Sequence, residues 1–257
     1  MLDTAVIPCG GLGTRLDPIT RWLPKEILPV GLRPILYWAL DEAADAGLLR
    51  AVIVTNPHKP VLEAAARNYP GPLELEFVPQ DHPRGLGDAL LRARDHLAGS
   101  PFAVLLPDNV FRGPNPTAAV LATHQTTVLA TVLLAEIGAR EAGSKGPTGR
   151  AAVRRADDGT WRVTAIAPKG SGRFDPGGAR AVTPIGRFVL CGDVFAEFDD
   201  VARTLAPGAE LDDVPVLQRL AARGALAGVI AEARFYDVGV PEGYQEAVRD
   251  FPARAPA

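Results

Sequence analysis

The sequence predicts an α/β fold built on a doubly wound, mostly parallel sheet, and three observations carry that prediction. Short apolar runs alternate with helical patterns through the first hundred residues, as parallel strands joined by crossover helices require. Several of those runs end in glycine-rich or acidic turns, and such sheets bind ligands at the carboxyl ends of their strands. Hydrophobic residues make up 47% and charged residues 22% of the 257-residue chain, which gives one large domain a sizeable core.

The first strand is Ala5-Val6-Ile7, and it stops at Pro8-Cys9-Gly10-Gly11-Leu12-Gly13-Thr14-Arg15. Gly10, Gly11 and Gly13 lack Cβ atoms, so backbone N–H groups can press against a ligand, and successive N–H groups in such a turn form an anion nest. Arg15 and Lys25 add cations within reach, and Lys25 stands between Pro24 and Glu26 in a segment stiffened again by Pro29. A polyphosphate is the ligand this combination suits. Two better-known phosphate loops are excluded: Gly13 is followed by Thr14-Arg15 rather than Lys-Ser/Thr, and Leu16 stands where a dinucleotide fingerprint needs its third glycine.

Pro34 can occupy the first turn of a helix that runs through Ile35, Leu36, Ala39, Leu40 and Ala43 and stops at Gly47. Ala51–Thr55 is a buried strand; a helix from Lys59 to about Arg67, a strand over Leu73–Val78, a helix over Gly87–Leu97 and a strand over Phe102–Leu106 continue the alternation. Gln80 follows the third of these strands and leads into Arg84-Gly85-Leu86-Gly87-Asp88, a second glycine loop opening a helix. Its side chain carries both a donor and an acceptor, as the edge of a pyrimidine does. Asp108 directly follows the Phe102–Leu106 strand, where a carboxylate either enters the ligand crevice or caps the next turn.

Beyond Val128–Leu134, a strand, comes the Gly-rich loop Glu136–Gly149. Ala151–Arg154 and Trp161–Ile166 flank Asp158-Gly159 and read as a β-hairpin. Gly170–Gly178 is a further Gly-rich loop, followed by a strand over Pro184–Leu190, helices from Gly192 and over Val214–Arg223, and a strand over Leu226–Ala231. Asp237 precedes Gly239 and, read alone, is a turn residue; a last helix runs to about Phe251. The chain therefore reads as a single domain over 1–257, in two parts, 1–110 and 111–251, with a tail at 252–257.

The net charge of −3 argues against non-specific nucleic-acid binding, and no apolar stretch is long enough to span a bilayer. Cys9 and Cys191 are too few for a disulfide scaffold, and nothing at the start reads as a signal peptide, so the expected setting is the cytoplasm. Without a His/Cys cluster, carboxylates are the metal candidates, which points to a hard cation.

The runs Gly11–Leu16 and Pro24-Lys25-Glu26-Ile27-Leu28-Pro29, with Pro34-Ile35-Leu36, Pro184–Leu190 and Phe235–Tyr244, resemble bacterial UTP–glucose-1-phosphate uridylyltransferases, which are sugar-1-phosphate nucleotidylyltransferases. The resemblance is close through Asp108 and patchy afterwards. It implies a Rossmann-like sheet with C-terminal helices, a nucleotide-binding half at 1–110 and a sugar-phosphate-binding half at 111–251, a nucleotide held by Gly10, Gly11, Gly13, Gln80, Gly85 and Asp108, and catalytic roles for Arg15 and Lys25. It further implies Mg²⁺ on Asp108 and Asp237, with UTP and a sugar-1-phosphate as substrates of nucleotide-sugar biosynthesis. The family's Glu-Lys-Pro, whose Glu holds sugar hydroxyls and whose Lys holds phosphate, is here Ile166-Ala167-Pro168 with Lys169 beyond it. Lys169 and Gly149 are therefore the expected sugar-phosphate contacts, and the acceptor is expected to differ from glucose-1-phosphate. A dTTP-dependent thymidylyltransferase and a non-catalytic nucleotide-sugar-binding homologue are the alternatives, and assembly into homo-oligomers is left open.

Overall fold

In the computed structural model, which describes residues 2–136, 150–157, 159–168, 174 and 179–251, the chain opens with β1 (Thr4–Pro8). Then come the short strands β2 (Pro29–Val30) and β3 (Arg33–Pro34), α1 (Ile35–Asp45), β4 (Arg50–Thr55), α2 (Pro60–Arg67), β5 (Glu74–Pro79), α3 (Leu86–Ala93) and β6 (Phe102–Leu105). The second half holds β7 (Asn109–Arg112), α4 (Pro116–Thr123), β8 (Ala130–Glu136), β9 (Ala151–Arg155), β10 (Trp161–Ile166) and β11 (Arg180–Leu190). It closes with α5 (Val194–Thr204), α6 (Val214–Ala222), β12 (Leu226–Ile230), β13 (Arg234–Asp237) and α7 (Pro241–Asp250).

Local chemistry accounts for the boundaries. Ile35, Leu36, Ala39, Leu40 and Ala43 are buried along one face of α1, and Gly47 ends the run at φ +86°. Pro34 sits just outside that helix rather than in its first turn. Pro60 and Pro116 open α2 and α4 at the position where a missing N–H costs nothing, and the Asn115 side chain caps α4 by accepting from the Ala118 N–H at 2.9 Å.

The main sheet has the order β5-β4-β1-β6-β11-β8-β12-β10-β9. Its first four strands are all parallel, as the strand–helix alternation predicts. The remainder is mixed: β11 runs antiparallel to β6, β8 and β9, β12 pairs in parallel with β8, and β10 is antiparallel to both β12 and β9. The expectation of a mostly parallel sheet is corrected accordingly. A parallel return needs a crossover of a dozen or more residues, and the link from β9 to β10 is far too short for one.

Helices cover both faces of the sheet. Val6, Val52 and Val104 point into a core shared with Leu90, Phe198 and Leu217 from α3, α5 and α6. Ala5, Ile7 and Ile53 point the other way, onto Leu36, Leu40 and Leu62 of α1 and α2. That alternation along β1 and β4 is why their sequences are apolar without a break. Among the described residues no helix is long and apolar enough to cross a membrane. A separate two-stranded ribbon, β7 with β13, places Asn109 opposite Asp237.

Candidate active site

A cavity of about 670 Å³ opens at the carboxyl ends of β1, β5 and β6. Its wall includes Gly10, Gly11, Arg15, Lys25, Gln80, Gly85, Asp108 and Asp237, so eight residues singled out from the sequence share one space. Gly13 lies behind this wall: at φ +71° it turns the chain into the short 3₁₀ turn that carries Arg15, and its carbonyl accepts the Thr20 hydroxyl at 2.9 Å. Lys169 and Gly149 fall outside the described residues.

The glycine loop is held from behind by a residue that sequence reasoning treated only as a helix start. Lys59 Nζ donates to the carbonyls of Cys9, at 3.1 Å, and Gly11, and pairs with Glu26 at 3.2 Å. With its carbonyls drawn toward this largely covered ammonium, the segment is free to offer N–H groups to the cavity. Glu26 is fully buried. Burial pushes its carboxyl above the ordinary value although Lys59 and Lys25 pull it down. Burial and the neighbouring Glu26 push the Cys9 thiol up as well, so Cys9 is a packing residue rather than a nucleophile. No local pattern marks Lys59, because its partners lie 33 to 50 residues away.

Lys25 Nζ donates to Asp108 Oδ2 at 2.5 Å across 83 residues of sequence. Burial alone would lower the ammonium, but Asp108 and Glu26 hold it above the ordinary lysine value. Burial would likewise raise Asp108, and Lys25 with Arg15 holds that carboxyl below the ordinary range. Both groups are therefore charged at neutral pH. Asp237 is pushed up, first by burial and then by the neighbouring Asp108 carboxylate. A Cβ on Gly239 would sit 2.8 Å from Asp108 Oδ2 and 3.1 Å from Asp237 Oδ1, so the two carboxylates converge on a cradle that only glycine leaves open. Two mutually repelling oxygen donors beside a phosphate-type loop fit a hard divalent cation that also takes substrate oxygens. Among the described residues no cluster of three or more acidic, His or Cys side chains forms a denser metal site.

Gln80 is buried, and its Nε2 donates to Asp88 Oδ2 at 2.7 Å and to the Gly85 carbonyl at 3.3 Å. Its Oε1 lies against Gly10, where a Cβ would come within 2.0 Å, so a side chain at position 10 would displace the Gln80 amide from this placement. Gly85, at φ +96°, packs against the Leu211 backbone, and the Arg84 carbonyl and Gly87 N–H clamp Leu211 at 2.7 and 2.8 Å. The short acidic segment at 210–213 thereby joins the wall. Ile166, Pro184, Ile185, Phe188, Leu217 and Phe235 add an apolar part of the wall. A second residue missed by sequence reasoning, Arg187, lies buried behind Asp108; its only signal is a cation within the apolar run Ile185–Leu190.

The family model described as "Nucleotidyl transferase" matches residues 4–253. A UTP–glucose-1-phosphate uridylyltransferase 2 of Streptococcus pyogenes serotype M1 is 27% identical over 289 residues, covering 98% of this chain and 91% of that one. A solved UDP-glucose pyrophosphorylase complexed with UDP-glucose superposes with a TM-score of 0.83 at 25% identity, covering 98% of both chains. A UTP-bound enzyme of the same kind from Acinetobacter baumannii shares the fold, with a TM-score of 0.78 at 22% identity over 98% of this chain and 93% of that one.

Proposed function

The chain belongs to the nucleotidyl transferase family, and we propose that it transfers a uridylyl group from UTP to a sugar-1-phosphate, releasing pyrophosphate. The observation that carries this reading is the convergence of Lys25, Asp108 and Asp237 at the mouth of the glycine loop, with Arg15 beside them. The names of the relatives, and a cavity at the carboxyl ends of parallel strands where a Rossmann-like sheet takes its nucleotide, support it.

In the reaction an oxygen of the acceptor phosphate forms a bond to the α-phosphorus of UTP while the bond from that phosphorus to the bridging oxygen of pyrophosphate breaks. A phosphate monoester with a second pKa of about 6 is already largely dianionic at neutral pH, so no general base is needed. The loop N–H groups at Gly10–Gly13 and the Arg15 guanidinium hold the triphosphate. Lys25, charged and held at the cavity, balances the charge that develops at the reacting phosphates. Gln80 and Gly85 face the base, where the Gln80 carbonyl oxygen is the group available for an imide N–H. Asp108 and Asp237 would hold Mg²⁺, which when bound neutralises phosphate charge.

The apolar lining at Ile166 and Phe235 supports an acceptor less dependent on sugar hydroxyls than glucose-1-phosphate is. Lys169 and Gly149 are proposed to meet its phosphate. The reading takes the chain as one domain, with 1–110 holding nucleotide and 111–251 holding acceptor. Two free cysteines suit a reducing cytoplasm. Pyrophosphate release measured over a panel of triphosphates and sugar phosphates tests it. UTP should be the preferred donor and glucose-1-phosphate a poor acceptor. A preference for dTTP, or binding without turnover, would replace the reading with a thymidylyltransferase or a non-catalytic binder.

A further inference from the structure

Arg187, on β11, is 1% exposed and the largest fully buried side chain among the described residues. A guanidinium keeps its charge in proteins, so its burial must be compensated by partners. Its Nε and Nη2 donate to the two carboxylate oxygens of Glu42, on α1, each at 2.6 Å. Glu42 is itself fixed from α4, where Thr117 Oγ1 donates to Oε1 at 2.5 Å and Asn115 Nδ2 donates to its backbone carbonyl at 2.8 Å. The remaining donors reach backbone. Nη1 meets the carbonyls of Leu106, at 2.9 Å, and Gly186, at 2.8 Å, and Nη2 meets that of Asn109 at 2.9 Å. The guanidinium also lies over the Phe111 ring, 4.7 Å from its centroid.

Leu106 and Asn109 bracket Asp108, and Asn109 is the register partner of Asp237. The Val238 N–H donates to the Asp108 carbonyl at 2.9 Å, so the segments bearing the two carboxylates are stitched together and the stitched unit hangs on Arg187. We propose that the buried Arg187–Glu42 pair is a positioning device that holds Asp108 and Asp237 at the separation a divalent cation needs. The inference rests on reading that pair as the cation site. Two carboxylates this close repel each other, and a loop released from Arg187 would let them spread. Lys cannot replace the device, because a compact ammonium cannot span two carboxylate oxygens and three carbonyls at once.

The test titrates Mn²⁺ alone, without nucleotide, and follows free Mn²⁺ by electron paramagnetic resonance, with circular dichroism to check folding. Asp108→Asn should abolish specific binding. Arg187→Lys should weaken it about tenfold to a hundredfold, the usual cost of losing support behind a metal ligand, while UTP binding in EDTA stays within about twofold of wild type. If Arg187→Lys does not fold, the double variant Arg187→Met/Glu42→Leu carries the measurement, since an apolar pair of similar volume often replaces a buried ion pair without loss of stability. A folded variant whose Mn²⁺ affinity stays within about twofold of wild type overturns the inference alone. Failure of both variants to fold also overturns it, because the pair would then serve stability. Wild-type Mn²⁺ binding in Asp108→Asn removes the cation site itself, and the inference with it.

Discussion

Lys59→Met tests whether the glycine loop is held in its binding form from behind. The Lys59 side chain is 10% exposed and that of Glu26 is fully buried, so the substitution strands a carboxylate away from water. Stranding one partner of a buried pair costs about 3–5 kcal/mol. For a chain of this size about 2–4 °C of Tm goes with each kcal/mol, so the midpoint should fall by roughly 6–20 °C at pH 8. The cost depends on pH in a defined direction. Glu26 takes up its proton at a higher pH in the folded protein than in the unfolded chain. Between those two values the folded state binds more protons, so stability there rises as pH falls. Removing Lys59 lifts the folded value further and widens that window. The deficit of the variant should therefore be largest near pH 8 and shrink toward pH 5. Lys59→Met/Glu26→Gln, which leaves no unpaired charge, should recover most of the stability.

Activity separates the loop from the fold. In the double variant the carbonyls of Cys9 and Gly11 still lack their cation, so KM for UTP should stay raised by about tenfold, one lost charge-assisted contact, even where Tm is restored. Scanning calorimetry across pH 5–8 and steady-state pyrophosphate release supply both readouts. A Tm within about 2 °C of wild type together with an unchanged KM for UTP would refute the reasoning, because Lys59 would then be no more than a partly covered surface side chain.

Asp108→Asn should lower Mg²⁺-supported turnover by several orders of magnitude with the fold kept, and near-wild-type rates would remove Asp108 from the mechanism. Lys25→Ala should depress kcat more than it weakens UTP binding if its charge, held beside Asp108, acts on the reacting phosphates as proposed; an effect confined to binding would make it a ground-state anchor. His124, whose ring nitrogens meet Thr131 Oγ1 at 2.9 Å and Cys191 Sγ at 3.6 Å, is lowered by burial. The unfolded chain therefore binds more protons as pH drops below the ordinary His value, and stability should fall from pH 7 toward pH 5; His124→Gln should flatten that slope in urea titrations.

The parallel half of the sheet was legible in the sequence because each strand is followed by a helix with an identifiable stop, and that order leaves little choice of pairing. The later strands carry the same apolar signal, and side-chain periodicity does not distinguish a parallel neighbour from an antiparallel one, so β11 reads as a strand while its direction does not. Site residues divide in the same way. Gly10, Lys25 and Asp108 announce themselves by an unusual neighbourhood: a glycine cluster, a preceding proline with another four residues on, or the end of a buried strand. Lys59 and Arg187 carry no such mark. Each is a cation whose partners are carbonyls and a carboxylate brought from distant parts of the chain, and the helix start or apolar strand around it has an ordinary explanation of its own. Yet a buried guanidinium in a strand such as Ile185–Leu190 cannot exist without partners, and no acidic residue lies within that run. Its burial therefore requires a carboxylate from elsewhere in the chain, and the packing of α1 against the sheet supplies Glu42.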